Sequence, residues 1–450
     1  MYNKTRSNRK SHLSIVLLSS MLLLLLSACS VGGGGTASTT TPTPRPTVKP
    51  TLAATSNPAL DTCPSYLSTY KNCFTPHALR VAYGVEPLTE KGFTGKGMTV
   101  IDIVSYGSPT LQQDMDVFDK QFGLPSITIQ VIAPLGTVSF NPNDATMTGW
   151  AQETELDVQI IHAIAPDAGI VVMTSPVAET EGTIGLPQFM QLEQYAVSHH
   201  LGQVFSQSYV ASEVTLADSA SRQFVQSYAN FYKQITTQDG FTVVSGSGDN
   251  GATDWQNIAA TQLAPHPTVN FPANVPWVTS VGGTTLMHSA SGNGYEERAW
   301  SGSGGGMSTF FSEPDYQRTM PQAVQSELAG HRGIPDIAAD ADPYTGMAFY
   351  FNGQWTQTGG TSASTPFWAA VIAIADQMAG HPLGFINPGI YKVAASQNYS
   401  LDFRDITVGS NGVAKVSVQG FQASTGWDAV TGWGSPQAST FIPDLIAALK

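Results

Sequence analysis

A regular alternation of strand-like and helix-like segments most constrains the fold of this chain. From residue 98 onward, runs rich in β-branched residues alternate with amphipathic segments of helical period. The pattern predicts strands over residues 98–105, 127–132, 169–174, 204–208 and 242–247, and helices over residues 111–122, 186–199 and 216–238 and around Glu153. Because parallel strands need crossover helices, this order predicts an α/β fold: a single domain with a mostly parallel central sheet flanked by helices.

A short turn of small residues precedes one strongly apolar helix. Residues 359–370 read GGTSASTPFWAA, and the helix is predicted to run to Met378. Ser362 therefore lies at a helix start, where unpaired N–H groups and the positive end of the dipole can stabilise an oxyanion. This position suits a nucleophile. An ordinary helix start, with Thr361 or Ser362 as the N-cap, fits the same residues.

A second helix carries paired carboxylates. Glu153 and Asp157 are four residues apart and share a face with three isoleucines. Two carboxylates on a partly apolar face repel each other, and burial raises at least one pKa, which makes a carboxyl useful as an acid or a base. Glu155 is expected to point elsewhere and to be solvated. A negatively charged helix start near the dipole is the alternative interpretation.

A third stretch ends a predicted strand in a glycine turn. Residues 241–251 read FTVVSGSGDNG, so Asp249 follows the strand directly. Ligands in open α/β sheets bind beyond the carboxyl ends of the strands, which places Asp249 where chemistry is expected. Taken alone, the same residues are typical of a turn.

These three stretches, in this order, resemble the sedolisin family of serine-carboxyl peptidases over residues 74–450. The motifs are Glu-x-x-x-Asp on a helix, Ser-Gly-Asp after a strand, and Gly-Thr-Ser-Ala-Ser-Thr-Pro. The resemblance implies a subtilisin-like fold and a serine-type endopeptidase that cleaves peptide or protein substrates at acidic pH through an acyl-enzyme. It makes Ser362 the nucleophile, Glu153 its general base, Asp157 the acid supporting Glu153, and Asp249 the donor at the oxyanion site.

The resemblance also implies one Ca²⁺ ion near the C-terminus. Asp405 and Asp428 would supply carboxylate oxygens, and Ile406, Ser424 and Gly426 would supply carbonyl oxygens. Hard oxygen ligands drawn from two loops suit Ca²⁺. Two ordinary turn aspartates are the alternative.

Two positions depart from the pattern of some sedolisins. Those members extend the acid network through an acidic residue after the first strand and a Trp near the substrate-side strand. Alignment of the motifs puts Val104 and Tyr209 at these positions, which leaves the extension unsupported here.

The N-terminal residues predict export. A basic start and an apolar run indicate a signal peptide over residues 1–28, which ends in the lipobox-like sequence LSAC and implies lipidation of Cys29. Plain secretory cleavage is the alternative. Residues 29–58 then form a Thr/Pro/Ser-rich disordered tether, and residues 59–450 form the peptidase domain, anchored to the cell membrane on its extracytoplasmic side or secreted.

The remaining cysteines indicate a disulfide. Cys63 and Cys73 are ten residues apart in an exported chain, within an N-terminal segment over residues 59–75. An oxidising compartment favours a bond between them, and a metal pair lacks nearby partners.

The composition narrows the possible partners. Charged residues make up 12% of the chain, and the formal net charge is −13. The absence of a basic stripe excludes nucleic acid, and low charge is compatible with work in acid. We expect a monomer that acts on peptides.

Two further segments and three alternative functions follow from the sequence. Glycines at 302–306 predict close backbone approach beside a strand edge that could hold a peptide, or else a flexible loop. Asp336 is expected to bind backbone groups. A subtilisin-type triad with Asp102 and His162 is an alternative, although His162 lies off the carboxylate face and suits a core position. A catalytically inactive peptide-binding lipoprotein and a solute-binding lipoprotein are the others.

Overall fold

The computed structural model describes residues 63–64, 73–290 and 294–450. The predicted signal peptide, the lipidated Cys29 and the tether over residues 29–58 lie outside the described residues. Cys63 and Cys73 are joined by a disulfide bond. Within the described ranges, no helix combines the length and the apolar character needed to cross a membrane.

The described residues form helices and short strands in the predicted alternation. The helices, α1 to α11, are Pro76–Ala82, Glu86–Thr89, Leu111–Phe122, Ala145–Ile164, Leu186–Ser198, Ser219–Thr237, Gln322–Leu328, Thr361–Ala379, Asn387–Ala394, Tyr399–Asp402 and Ala438–Ala448. The strands, β1 to β16, are Thr99–Ser105, Gln130–Ile132, Gly169–Ser175, Val204–Gln207, Ala211–Ser212, Thr242–Gly246, Asn270–Phe271, Thr279–His288, Tyr295–Ala299, Gly306–Ser312, His331–Ile334, Ile337–Asp340, Ala348–Phe351, Gln354–Gln357, Phe403–Arg404 and Ser435–Pro436.

The central sheet has the order β12-β8-β6-β4-β1-β3-β2, and every neighbouring pair along this path is parallel. Strand β9 adds to β8 in the antiparallel direction. The prediction of a mostly parallel α/β sheet is therefore confirmed. Because all strands of the path run the same way, the ends of β1, β3, β4 and β6 meet at one edge of the sheet.

Each face of the sheet packs against its own hydrophobic core. Along β1, Val100 and Val104 join the core formed with α4 and α8, whereas Ile101 and Ile103 join the core formed with α5 and α6. Successive side chains of a strand point to opposite faces. Asp102 lies between these residues and consequently shares the face of Val100 and Val104.

Helix α8 runs through the middle of its core. Most of its residues are buried, and the indole Nε1 of Trp368 donates to the carbonyl oxygen of Ala338 at 2.9 Å. Helix α4 packs along α8. The two helices therefore bring the predicted carboxylates and the predicted nucleophile together.

Two predicted elements differ from the structure at their starts. Strand β2 covers only residues 130–132, and α6 begins at Ser219 rather than near residue 216. Asp218 caps α6 by accepting hydrogen bonds from the N–H groups of Ala220 and Ser221, and a 3₁₀ turn over Glu213–Leu216 precedes it. A side-chain cap outweighed the helical periodicity upstream of it.

Candidate active site

Ser362 lies in the first turn of α8, and its hydroxyl is not used as a helix cap. The N-cap is Gly360, with φ of 104° and no capping side chain of its own. A Cβ atom at Gly360 would lie 2.4 Å from Oδ2 of Asp249, so only glycine fits there. Asp249 instead satisfies the helix start, because its Oδ1 accepts from the N–H of Thr361 at 2.7 Å and from its hydroxyl at 3.0 Å. The interpretation of Thr361 or Ser362 as the N-cap is therefore wrong.

Glu153 faces Ser362 from α4. The residue is half-buried, and its enclosed carboxyl has a pKa raised to about 8. Desolvation is the main cause, the neighbouring Ser362 hydroxyl lowers the pKa, and repulsion from Asp249 and Asp102 raises it further. Glu153 consequently ionises more easily while those two carboxyls hold their protons.

Asp157 is fully buried one helical turn after Glu153. Its Oδ1 accepts from the hydroxyl of Ser208 at 3.0 Å, and the same hydroxyl lies 3.4 Å from the carbonyl oxygen of Ser362. Burial raises the pKa of Asp157 well above its usual range, and repulsion from Asp102 and Glu153 adds to the effect. At acidic pH, Asp157 therefore holds a proton.

Asp102 extends this network, contrary to the alignment that placed Val104 there. Asp102 is fully buried, and burial raises its pKa to about 7, whereas a hydrogen bond with Asp157 lowers it. Apart from Asp157, no group of the described residues donates to either oxygen of Asp102. The two carboxyls are therefore placed to share a proton. Val104 lies two residues further along the same face and belongs to the core. The available signal was an acidic residue inside an otherwise apolar strand, although the alternation along β1 does not distinguish the position of Asp102 from that of Val104.

Asp249 opens onto the cleft from the turn after β6. The residue as a whole is exposed, yet its carboxyl is enclosed by the cleft walls, and this desolvation raises the pKa. The two hydrogen bonds from Thr361 oppose the rise. Because Oδ1 already caps α8, a proton on this carboxyl belongs on Oδ2, the oxygen available to the cleft.

The cleft beside Ser362 has a volume of about 180 Å³ and an acidic lining that the sequence did not reveal. Glu181 and Asp254 line it together with Asp249. Burial and the charge of Asp254 raise the pKa of Glu181 to about 7. No histidine lines the cleft among the described residues. A larger cavity of about 740 Å³, lined by aromatic residues such as Trp277 and Tyr316, contains none of the predicted site residues.

Four further predictions concern other residues. Glu155 points away from Ser362, but the expectation that it is solvated is wrong: it is buried, it accepts from Ser108 at 2.7 Å, and burial raises its pKa to about 8. His162 is a buried core residue 2.9 Å from the carbonyl oxygen of Pro125, as expected.

The remaining two concern backbone contacts. Asp336 accepts from the N–H of Ser280 at 2.8 Å and also pairs with Arg332. A Cβ atom at Gly304 would lie 2.2 Å from the carbonyl oxygen of Ser247, which confirms the close backbone approach.

The C-terminal loops bring the predicted calcium ligands into one region. Oδ1 of Asp405 accepts from the N–H of Gly426 at 3.2 Å, and Oδ2 of Asp428 accepts from the N–H of Ser424 at 3.0 Å. Neither aspartate pairs with a basic side chain of the described residues.

The donor set nevertheless falls short of a cluster of carboxylates. Within the described ranges, no group of three or more His, Cys, Asp or Glu residues is placed to hold a metal ion. The carbonyl oxygens of Ile406, Ser424 and Gly426 accept no hydrogen bond there, so two carboxylates and three carbonyls could converge. These oxygen donors fit Ca²⁺ in chemical type.

The chain is similar to known proteins in both sequence and structure. Residues 136–388 match the Subtilase family. Kumamolisin from Bacillus sp. (strain MN-32) is 30% identical over 360 residues, which cover 77% of this chain and 59% of that protein. Sedolisin from Pseudomonas sp. (strain 101) is 31% identical over 349 residues, covering 75% of this chain and 56% of that protein.

Human tripeptidyl-peptidase 1 is 31% identical over 313 residues, covering 65% of this chain and 52% of that protein. The chain thus spans between 52% and 59% of these curated relatives. Among solved structures, Pseudomonas sedolisin (serine-carboxyl proteinase) complexed with pseudo-iodotyrostatin has a TM-score of 0.68 at 27% identity. The match covers 83% of this chain and 97% of that one.

Proposed function

Because this chain belongs to the subtilase family, and within it to the sedolisins with their subtilisin-like fold, we propose that it is a serine-carboxyl endopeptidase. It cleaves peptide bonds at acidic pH through an acyl-enzyme on Ser362. The observation that carries this proposal is that the hydroxyl at the start of α8 faces a carboxyl, Glu153, rather than a histidine. The ordinary pKa of a Glu carboxyl, about 4.3, lies below that of imidazole, about 6.5, which suits a base that works in acid. Burial raises the pKa of Glu153 to about 8, so the ionised form that accepts the proton of Ser362 is the minor form of the free enzyme in acid.

The first half-reaction forms the acyl-enzyme. Oγ of Ser362 attacks the carbonyl carbon of the substrate while its proton passes to Glu153. The negative charge that develops on the carbonyl oxygen accepts hydrogen bonds from protonated Asp249 and from the N–H of Ser362, which lies in the first helical turn and lacks an intrahelical acceptor. Glu153 then donates the proton to the leaving amine as the C–N bond breaks.

The second half-reaction releases the product. Water attacks the acyl carbon and gives a proton to Glu153, after which the proton returns to Oγ of Ser362 as the ester bond breaks. Asp157 and Asp102 touch no substrate. They hold a shared proton behind Glu153 and thereby limit the repulsion that its ionised form would meet.

The pH range of this reaction follows from two carboxyls with opposite requirements. Glu153 must be ionised, and Asp249 must be protonated. The macroscopic pKa values belong to the coupled cluster, so activity is expected to form a bell in the acidic range. As pH rises, loss of the proton from Asp249 removes a donor from the oxyanion and activity falls.

A calcium ion and a lipid anchor complete the proposal. One Ca²⁺ ion would be held by the carboxylates of Asp405 and Asp428 and the carbonyls of Ile406, Ser424 and Gly426. Its contribution would be to stabilise the C-terminal loops. Export and lipidation of Cys29 rest on the sequence pattern of residues 1–29. A Cys29→Ser variant that still enters the membrane fraction would contradict the anchor.

The function is tested with the purified chain, a mixed peptide library and mass spectrometry between about pH 3 and about pH 9. We expect cleavage with an acidic maximum, and Ser362→Ala should lower kcat by about 10⁴-fold or more. Circular dichroism of the variant controls for folding. A maximum above neutrality would contradict the carboxyl base. Binding of peptides without cleavage would instead support an inactive peptide-binding protein on this fold.

A further inference from the structure

Behind the cleft, α5 carries a fully buried carboxyl that the proposed reaction does not use. Oε1 of Glu193 accepts hydrogen bonds from Nε2 of Gln207 at 2.7 Å and from the hydroxyls of Tyr209 at 3.1 Å, Tyr228 at 2.7 Å and Tyr232 at 3.1 Å. No basic side chain pairs with it among the described residues. Burying a carboxyl without a cation is unfavourable for its charged form, so its presence here calls for an explanation.

Two of the four donors belong to the strand end that enters the active site. Gln207 is the last residue of β4, and Tyr209 follows two residues later. Side chains two apart in extended chain point to the same side, so the residue between them points to the other. That residue is Ser208, whose hydroxyl donates to Asp157 at 3.0 Å. Glu193 therefore contacts one side of residues 207–209, and Ser208 on the other side contacts Asp157.

Aromatic contacts also connect Tyr209 to residues that line a cavity beside Glu153. The ring of Tyr209 packs edge-on against Phe189, with centroids 4.5 Å apart, and Phe189 packs against Trp150 at 6.0 Å. Trp150 precedes Glu153 on α4 by almost one turn, and both line a second cavity with Ser208. Tyr209 therefore contacts Glu193 through its hydroxyl and the wall of the site through its ring.

We propose that Glu193 and Tyr209 are positioning residues for the peptidase reaction. Through two hydrogen bonds they hold residues 207–209 in the register that presents Ser208 to Asp157. This inference rests on the proposed function. Burial raises the pKa of Glu193 to about 8, so at acidic pH its carboxyl is protonated and Oε1 accepts the four hydrogen bonds as part of a neutral group. Tyr228 and Tyr232 approach the same oxygen from α6 and do not belong to the strand.

The test compares three conservative variants of the full chain. Glu193→Gln and Tyr209→Phe are expected to lower kcat by about 10- to 100-fold with little change in KM, and to move the pH profile of kcat/KM. Tyr228→Phe removes a hydroxyl from the same carboxyl, together with its 3.2 Å contact to the hydroxyl of Tyr209, but keeps both hydrogen bonds from residues 207–209 to Glu193. It should therefore lower Tm with little change in kcat or the profile. Equal losses of kcat in all three variants would overturn the proposal, because they would reflect destabilisation alone.

A double-mutant cycle separates this inference from the proposed function. If Tyr209 acts through Ser208, the effects of Tyr209→Phe and Ser208→Ala on kcat should be clearly less than additive. Full additivity would overturn the inference while leaving the peptidase assignment intact. If Glu193→Gln fails to fold, Tyr209→Phe, which loses a single oxygen atom, provides the same comparison. A parent chain without any peptidase activity would refute the proposed function itself.

Discussion

Two fully buried aspartates of this molecule lie in contrasting environments. Asp336 accepts two hydrogen bonds from the guanidinium of Arg332, at 2.7 and 2.6 Å, and another from the hydroxyl of Tyr391 at 2.8 Å. Asp102 is equally buried, but its neighbour is a second carboxyl, Asp157, and no other group of the described residues donates to it.

The contrast distinguishes a structural carboxylate from one that handles protons. A buried carboxylate that accepts hydrogen bonds from a cation and from neutral donors stabilises one packing arrangement. Two facing carboxyls repel each other while both are charged, so one of them keeps a proton. Loss of that proton changes the repulsion that the neighbouring carboxyls experience. The facing carboxyls of Asp102 and Asp157 therefore mark the chemical end of this sheet.

The largest effect is expected where the acid network meets the nucleophile. Glu153→Gln keeps the size of the side chain but removes the base, so kcat should fall by about 10⁴-fold, and an Asp249→Asn variant should lose less because it keeps a donor. Steady-state kinetics at the acidic maximum measure both. Substantial turnover by Glu153→Gln would show that another group accepts the proton of Ser362.

The structural aspartate should respond in stability instead. Asp336→Asn leaves the buried guanidinium of Arg332 without its charge partner, which should lower the free energy of unfolding by about 3–5 kcal/mol. Tyr391→Phe, which removes only a neutral donor from the same carboxylate, should cost about 1 kcal/mol. Urea denaturation measures both variants. A mild loss in Asp336→Asn would mean that the two aspartates are not as different as their contacts indicate.

The sequence predicted one side of this comparison better than the other. The alternation of strand-like and helix-like segments identified the sheet, because burial gives each strand and each helix a characteristic local spacing of apolar residues. It also brought Glu153, Asp157, Asp249 and Ser362 to one edge. Asp102 was missed because two residues of one strand share a face, and local sequence does not say which of them meets the helix.

Contacts between distant segments were harder to predict. Glu155 was expected in solvent, but α4 is covered on that side by the hairpin of β13 and β14, where Gln159 donates to the carbonyl oxygen of Tyr350 at 2.7 Å. The donors around Glu193 likewise come from β4, the residues just after it and α6, whereas Glu193 itself lies on α5. Such polar clusters depend on tertiary packing and leave little trace in periodicity.

The C-terminal loops provide a third kind of carboxylate in this comparison, one that a cation from solution would satisfy. Removing Ca²⁺ with a chelator should lower Tm by about 5 °C, since an ion bound only by the folded state stabilises it by mass action. The Asp405→Asn variant should have the lower Tm without the chelator, and adding the chelator should not lower it further. An unchanged Tm in the parent chain, with no calcium detected by metal analysis, would remove the site.

The smallest expected effect concerns the direction in which the acid network changes the free energy of unfolding as pH rises. Burial raises the pKa of Asp102 from an ordinary value near 4 to about 7, so between these values the folded state binds more protons than the unfolded state. Its contribution is therefore fully present below about pH 4 and is lost as pH rises through about 7. Glu155, Glu193 and Asp376 act in the same direction, because burial raises the pKa of each to about 8.

Asp102→Asn removes one titration from this set. The variant should match the parent near pH 4 and exceed its free energy of unfolding by about 2 kcal/mol near pH 8, so its stability should fall less steeply with pH. Urea denaturation at several pH values measures the two slopes. The remaining slope of the variant reports the other buried carboxyls. Parallel slopes would show that Asp102 does not titrate in this range, and the comparison with Asp336 would then lose its basis.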